Sequence, residues 1–275
     1  MKQINLMVNG IPGNVAVTIA SHVMEDNRFQ LVPYSLTGPD VEEKNSTVNG
    51  KTITLLKPGT RQQYMERIKA DFPDLIAIDY THPSAVNANA RFYARNGLAF
   101  VMGTTGGDRE ELETTVLNAS ICAVIAPNMA KQIVGFQAMM AHGAETFPDL
   151  FKGYSLTIEE SHQKGKADTS GTAKAMVEYY NRLGIPFSEE EIVQERDPDV
   201  QKNRWNIPEE HLEGHGWHTY TLTSPDRSAC FQFKHNINGR EIYAQGTLDG
   251  ALFLHKKIQE NARGKIFTMI DVLKG

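Results

Sequence analysis

The spacing of apolar positions divides the chain into strands and helices almost from its start. Ile4 to Val8 (INLMV) is a short apolar run ending at Asn9-Gly10. Beyond that turn, Ala16, Ile19, Ala20 and Val23 recur at helical spacing. Phe29 to Leu36 reads as one strand and Lys51 to Leu56 as another. Thr60 to Asp71 is an amphipathic helix carrying Tyr64, Met65 and Ile68, and it stops before Pro73. Leu75 to Tyr80 (LIAIDY) has the apolar run of a strand covered on both faces. Ser84 is read as the cap of a helix reaching about Asn96, with Gly97 as its stop. Leu98 to Met102 and Ile121 to Ala126 are two further strands, separated by a helix from about Arg109. Such alternation predicts an α/β, doubly wound parallel sheet of Rossmann-like type.

The pattern changes after Asn128. Ile133 to Phe147 is helical, and Tyr154 to Ile158 alternates like the end of a strand. A polar loop with His162, Lys164 and Lys166 follows. Thr169 or Ser170 then caps a helix marked by Ala173, Met176, Val177 and Tyr180, which Gly184 and Pro186 end. Ser188 to His215 is polar and reads as a long loop or mobile flap. Trp217 to Thr223 and Ser228 to Ile237 alternate as antiparallel strands joined at Ser224 to Arg227, and Glu241 to Asn261 is a long amphipathic helix. This second region reads as a smaller α+β domain for substrate binding and oligomerisation.

Composition narrows the function classes. The chain has 275 residues, 40% hydrophobic and 22% charged, with a net charge of -5. That balance argues against a nucleic-acid surface. No apolar run approaches the roughly 20 residues of a membrane helix, so no membrane partner is expected. Cys122 and Cys230 lie in apolar runs and read as buried, unpaired thiols. There is no signal-peptide pattern, so the expected compartment is the cytoplasm, or the plastid stroma if a transit peptide has been removed.

Chemistry concentrates in a few places. Gly10, Gly13 and Ala16 follow the first strand and open the first helix, which is the setting of a dinucleotide fingerprint. The expected second strand ends in Tyr34-Ser35-Leu36-Thr37 with no carboxylate before Asp40. An NAD site favours an acid there, so the reading is NADPH, with Ser35 and Thr37 as donors to a 2′-phosphate and NADH left open as an alternative. Ligands of such sheets sit beyond the strand ends, here Tyr80-Thr81, Gly103 to Gly106, and Pro127, Asn128 and Met129. The His162 loop supplies a proton donor, a cation in Lys166 and a helix N-terminus at Ser170, Gly171 and Thr172. That combination suits a small anionic substrate receiving a proton. His211, His215 and His218 recur at i, i+4, i+7, but glycines interrupt any helix there and no metal is expected.

Taken together, GIPGNVA, IDYTHPSAV, VMGTTGG, IAPNMAK and ESHQKGKADTSGTA make the chain resemble a dihydrodipicolinate reductase of the plant-type branch over nearly its whole length. The resemblance implies a nucleotide domain at 1–128 completed by 240–275, and a substrate domain at 129–239. It implies hydride transfer from NAD(P)H to a cyclic dicarboxylate with loss of water, in lysine biosynthesis by the diaminopimelate route. His162 is then the general acid, and Lys166 stabilises negative charge. Ser170, Gly171 and Thr172 hold a carboxylate, and Gln163 stands where the common bacterial pattern has a second histidine. Gly10, Gly13, Asn14 and Val15 would hold the pyrophosphate, and Thr81, Gly103, Thr105 and Asn128 would line the nicotinamide half. The hinges are placed at Pro127 to Ala130 and near Asn238-Gly239. Members of the family are oligomers, so a dimer or tetramer is expected, with Trp217 to Thr223 as a candidate pairing edge. Another nicotinamide oxidoreductase of the same architecture and a catalytically silent dinucleotide-binding protein remain the alternatives.

Overall fold

The computed structural model describes residues 3–275 and divides them into two compact units, one running to Lys131 and resuming over Glu241–Gly275, the other Gln132–Arg240. In the first, β1 (Ile4–Asn9) is fully buried and feeds α1 (Asn14–Glu25), whose Ala16, Ile19, Ala20 and Val23 face inward. The Phe29–Leu36 run is not one strand. It splits into β2 (Phe29–Leu31) and β3 (Tyr34–Leu36), which belong to different sheets. Pro33 lies at the break, and its ring removes the N–H that a continuous ladder needs. A three-stranded side sheet follows, with β4 (Asn45–Val48) antiparallel to β5 (Lys51–Leu56) and β3 parallel to it.

Next come α2 (Gln62–Asp71), β6 (Ile76–Asp79), α3 (Val86–Asn96), β7 (Phe100–Met102), α4 (Arg109–Asn118) and β8 (Cys122–Ile125). Ser84 does not cap α3. It lies in a short 3₁₀ turn, Pro83–Ala85, and its own N–H is accepted by the His82 ring. Proline at the first turn position starts that turn without losing a bond. Gly97 ends α3 in the left-handed conformation.

The second unit holds α5, which begins at the boundary (Lys131–Thr146), then β9 (Ser155–His162), α6 (Gly171–Arg182), β10 (Val193–Glu195), α7 (Pro198–Asn203), β11 (His215–Thr223) and β12 (Cys230–Asn238). Its sheet order is β10-β9-β11-β12. The region read as a long loop or flap is thus organised: it carries β10, paired parallel to β9, and α7, capped by Asp197. Charge masked the short apolar anchors Ile192 and Ile207, both buried. Trp217 to Thr223 is an interior strand; one edge of the sheet is β10 and the other, beside Trp217 to Thr223, is β12. Cys230 on that edge is exposed, while Cys122 is buried. Ala173, Met176, Val177 and Tyr180 of α6 pack on Ile158, Tyr220 and Leu222.

The chain then returns to the first unit through α8 (Glu241–Gln259), β13 (Lys265–Phe267) and α9 (Met269–Lys274). The six-stranded sheet runs β13-β8-β7-β6-β1-β2, all parallel. Residues of α2, α3 and α4 form the core on one face, and α1 and α8 pack together on the other. Gly246 of α8 is required by closeness, since a Cβ there would stand 1.7 Å from the Met129 carbonyl oxygen.

Candidate active site

At the carboxyl end of β1, Gly10 has φ of 108°. A Cβ on it would lie 2.1 Å from the Tyr80 carbonyl oxygen, so glycine lets the turn press against the end of β6. The Gly13 N–H closes on Gly10 O at 2.8 Å. Gly13 is the N-cap of α1, and among the described residues no side chain caps that helix. The N–H groups of Asn14 and Val15 are left for an anion. Beside this turn opens a cleft of about 780 Å³ lined by Gly10, Gly13, Thr37, Arg61, Tyr80 and Thr81, among others.

Ser35 does not reach that cleft as a donor. It is fully buried and its Oγ accepts the Ile11 N–H at 3.2 Å, so it braces the glycine turn from behind. Thr37 lines the cleft. Arg61, which the sequence reading passed over, supplies the cation there. Its guanidinium donates to Asn89 Oδ1 (2.6 Å) and Ala88 O (3.3 Å) and lies 4.3 Å over the Phe92 ring. Burial lowers its pKa from the ordinary value.

A buried network fixes the strand ends. Asp79, fully buried at the end of β6, accepts from Tyr93 OH and Thr104 Oγ1 (2.6 Å each), Thr81 Oγ1 (2.9 Å) and Asn89 Nδ2 (3.1 Å). Burial, and next the Asp79 charge, push the Tyr93 phenol well above its ordinary value, so it stays a donor. Tyr80 OH meets Thr247 Oγ1 at 2.6 Å. Gly103 makes room for that tyrosine, since a Cβ would fall 2.4 Å from its ring. Thr105 and Pro127 are exposed. Asn128 Oδ1 accepts the Ala130 N–H at 2.9 Å, and the Met129 side chain is buried.

In the second unit, β9 continues four residues beyond Ile158, so His162 ends a strand instead of standing in a loop. Its ring lies over Gly216, the cross-strand partner, where a Cβ would stand 3.0 Å from Cε1. The Nδ1–H donates to His215 O at 3.1 Å, which leaves Nε2 as the titrating atom. That atom is enclosed, without a hydrogen-bond partner, 3.9 Å from Glu160 Oε2. Glu160, His218 and His235 are directly opposed across β9, β11 and β12.

Glu160 is fully buried. Burial opposes its charge, but contacts from His218, Arg196 Nη2 (2.5 Å) and the Ser170 N–H (3.0 Å) hold its carboxyl at about 2. Burial, and next the neighbouring His218, push His162 down to about 4, while Glu160 opposes. Burial likewise puts His235 at about 3.

Ser170 caps α6 and its Oγ accepts the Thr172 N–H at 3.2 Å. Two N–H groups of the expected anion cradle are therefore engaged, Ser170's by Glu160 and Thr172's by Ser170. The Gly171 N–H and the Thr172 hydroxyl remain. Among the described residues, the Lys166 ammonium has no carboxylate within ion-pair distance, while its carbonyl accepts from Arg196 Nε at 3.0 Å. Gln163 is partly buried, its carbonyl closing the turn to the Lys166 N–H. His215, set aside with His211 as a metal candidate, bonds Ser161 Oγ at 2.9 Å.

Glu160, His162 and His218 offer ligand atoms within 4.8 Å of one another. A divalent ion is poorly suited to that set. The carboxylate already carries a guanidinium and a backbone N–H, and Lys166 adds further positive charge. The same surplus of positive charge suits an anionic substrate and a mobile proton.

Comparison with known proteins agrees over the whole chain. Residues 4–129 match the model described as dihydrodipicolinate reductase, N-terminus, and residues 133–273 that of the C-terminus. A probable 4-hydroxy-tetrahydrodipicolinate reductase 1, chloroplastic, of Oryza sativa subsp. japonica is 46% identical, covering 98% of this chain and 78% of the relative. The chloroplastic reductase 1 of Arabidopsis thaliana is 45% identical with the same coverage of each chain. Among solved structures, a dipicolinate-bound dihydrodipicolinate reductase from Paenisporosarcina sp. TG-14 superposes with a TM-score of 0.68 at 18% identity, covering 97% of this chain and 98% of that one, which speaks for the fold.

Proposed function

Since the chain belongs to the dihydrodipicolinate reductase family, we propose that it reduces 4-hydroxy-tetrahydrodipicolinate to tetrahydrodipicolinate with loss of water, using NAD(P)H, in lysine biosynthesis. The observation that carries this reading at the site is the grouping of His162, Lys166 and the open end of α6 within one stretch of the second unit. Bound NAD(P)H supplies the hydride. The chain's own residues do the rest.

Hydride addition to a conjugated imine builds electron density that a proton must quench. His162 gives that proton from Nε2, because Nδ1 is tied to His215 O. Lys166, free of a carboxylate partner, holds a substrate carboxylate and offsets the developing charge. The Gly171 N–H and Thr172 hydroxyl take up the other carboxylate at the start of α6. Gln163 can donate a hydrogen bond there without carrying charge. In the first unit, the glycine turn and the N–H groups of Asn14 and Val15 take the pyrophosphate, and Thr81 and the strand ends line the nicotinamide half.

NADPH is the proposed cofactor of choice, NADH the second. The support is Arg61 in the cleft with Thr37, a guanidinium whose hydrogen-bond partners, Asn89 Oδ1 and Ala88 O, are both uncharged. Subunit association is placed at the free edge β12, where Phe231 is 44% exposed. The plastid stroma, suggested by relatives named as chloroplastic, and the cytoplasm are the two compartments considered. No helix among the described residues is long and apolar enough to cross a membrane.

The test couples the protein to a dihydrodipicolinate synthase fed pyruvate and aspartate semialdehyde, and follows oxidation of NADPH and NADH separately. Synthase-dependent oxidation is expected. Cofactor binding without oxidation would overturn the reading in favour of a silent dinucleotide-binding protein. Arg61→Ala should raise the KM for NADPH about tenfold, one lost charge-assisted contact, and leave that for NADH unchanged.

A further inference from the structure

Three imidazoles in the second unit have buried nitrogens that find no hydrogen-bond partner: His162 Nε2, both nitrogens of His218, and His235 Nδ1. Orphaned polar atoms in such a place are costly unless a proton or a ligand periodically engages them. The strand register explains their closeness. His218 stands opposite Glu160 on one side and His235 on the other, with ring centroids 5.1 Å from His162 and 4.6 Å from His235. His218 Nε2 and His162 Nε2 approach the same oxygen, Glu160 Oε2, at 3.6 and 3.9 Å. The other oxygen, Oε1, is taken by Arg196.

We propose that His218 is a positioning residue for proton supply: the rings of His162 and His218 compete for at most one proton beside the Glu160 Oε2 carboxylate oxygen, so that His218 sets how far His162 is charged before substrate arrives. The groups facing His218 are few. Glu160 and His162 come from β9, His235 from β12 and Tyr220 from its own strand, stacked on it at 6.4 Å. Arg196, just beyond β10, and Lys166, in the loop beyond β9, bear on His162. Glu160 is the one carboxylate among them, so one negative charge faces two imidazoles already near an arginine and a lysine. A second imidazolium would stand uncompensated in a buried place. The depression of His162 by its neighbour has the same origin. Only a proton moves, between ring nitrogens and solvent, so no further reactant is required.

This rests on the reading of His162 as the proton donor, and the test separates the two. In the ligand-free protein, imidazole titration followed by nuclear magnetic resonance reads His162 directly, without turnover. His218→Gln and His218→Phe should move the His162 titration to higher pH by about one unit, and Glu160→Gln should move it lower. The descending limb of kcat/KM against pH should follow in the same opposite directions. A His162 titration unmoved in both His218 variants, or moved the same way by His218→Gln and Glu160→Gln, overturns the proposal. Opposite shifts in the resonance titration with no matching shift in the rate profile would uphold the competition for one proton and remove His162 as the acid.

Discussion

Binding of a dicarboxylate should draw a proton into this protein. His162 is held at about 4 when the unit is empty, so at neutral pH its Nε2 is bare. A substrate carboxylate about 4 Å from that nitrogen, at an effective dielectric near 20, is worth about 4 kcal/mol to the imidazolium. That is enough to carry the group from about 4 to about 7. Glu160, at about 2, is ionised throughout and contributes nothing to the exchange. Close to one proton should therefore enter per site at pH 6, and about half a proton at pH 7. Calorimetric titration with dipicolinate in two buffers of different ionisation enthalpy reads this as the difference in observed heat. Binding at pH 6 with no buffer dependence would refute the reasoning, because it would mean that the anion and His162 do not feel one another.

Other outcomes follow from separate features. Gly10→Ala drives a Cβ into the Tyr80 carbonyl and should weaken NADPH binding by about a hundredfold, two displaced charge-assisted contacts; a dissociation constant within threefold of the parent in a fluorescence titration would count against the turn as the pyrophosphate site. Lys166→Ala should cripple kcat while NADPH binds as before, and an unchanged kcat would remove Lys166 from the mechanism. Asp79→Asn forces an amide N–H₂ on donors that now share a carboxylate and should cost about 2–3 kcal/mol, seen as a lower urea midpoint at constant m-value. His162 and His235 sit below the unfolded histidine value near 6.5, so the unfolded chain takes protons that the folded one refuses. Stability should fall as pH drops from about 6.5 through about 4 towards about 3, with a further loss as Glu160 protonates towards 2; a urea midpoint flat from pH 7 to pH 4.5 would contradict this.

The nucleotide unit was readable in the chain because its signals are local. An apolar run, two glycines and a spaced helical face lie within twenty residues of each other, and each needs only its own segment to be recognised. The second unit was readable in outline, but its electrostatic centre was not. Ending β9 at Ile158 hid the parity that puts Ile158, Glu160 and His162 on alternate positions of one strand. Extended four residues, the same alternation would have set Glu160 beside the histidine. His218 and His235 needed the register between β9, β11 and β12, which no local pattern encodes. Arg196 sat in a stretch whose charge resembled a solvated loop, and only its pairing with a buried carboxylate shows why it is there. Ser35 was read as a donor to a 2′-phosphate and instead accepts the Ile11 N–H, because whether a hydroxyl faces a cleft or the backbone depends on one rotamer.

The six-stranded sheet is closed at one edge by β13, whose Lys265, Ile266 and Phe267 pair with Cys122, Ala123 and Val124. Those partners leave the ribosome in the opposite order to their need. When β8 emerges, its neighbour is more than a hundred residues from being made, and so is α8, whose Gly246 takes the Met129 carbonyl. The nascent chain must carry an unpaired parallel edge while Gln132–Arg240 is translated. That inserted unit has its own core and can finish first. A ribosome stalled beyond residue 240 would thus hold a folded second unit on an incomplete first one, and release of the final segment is the event that seals the nucleotide-binding sheet.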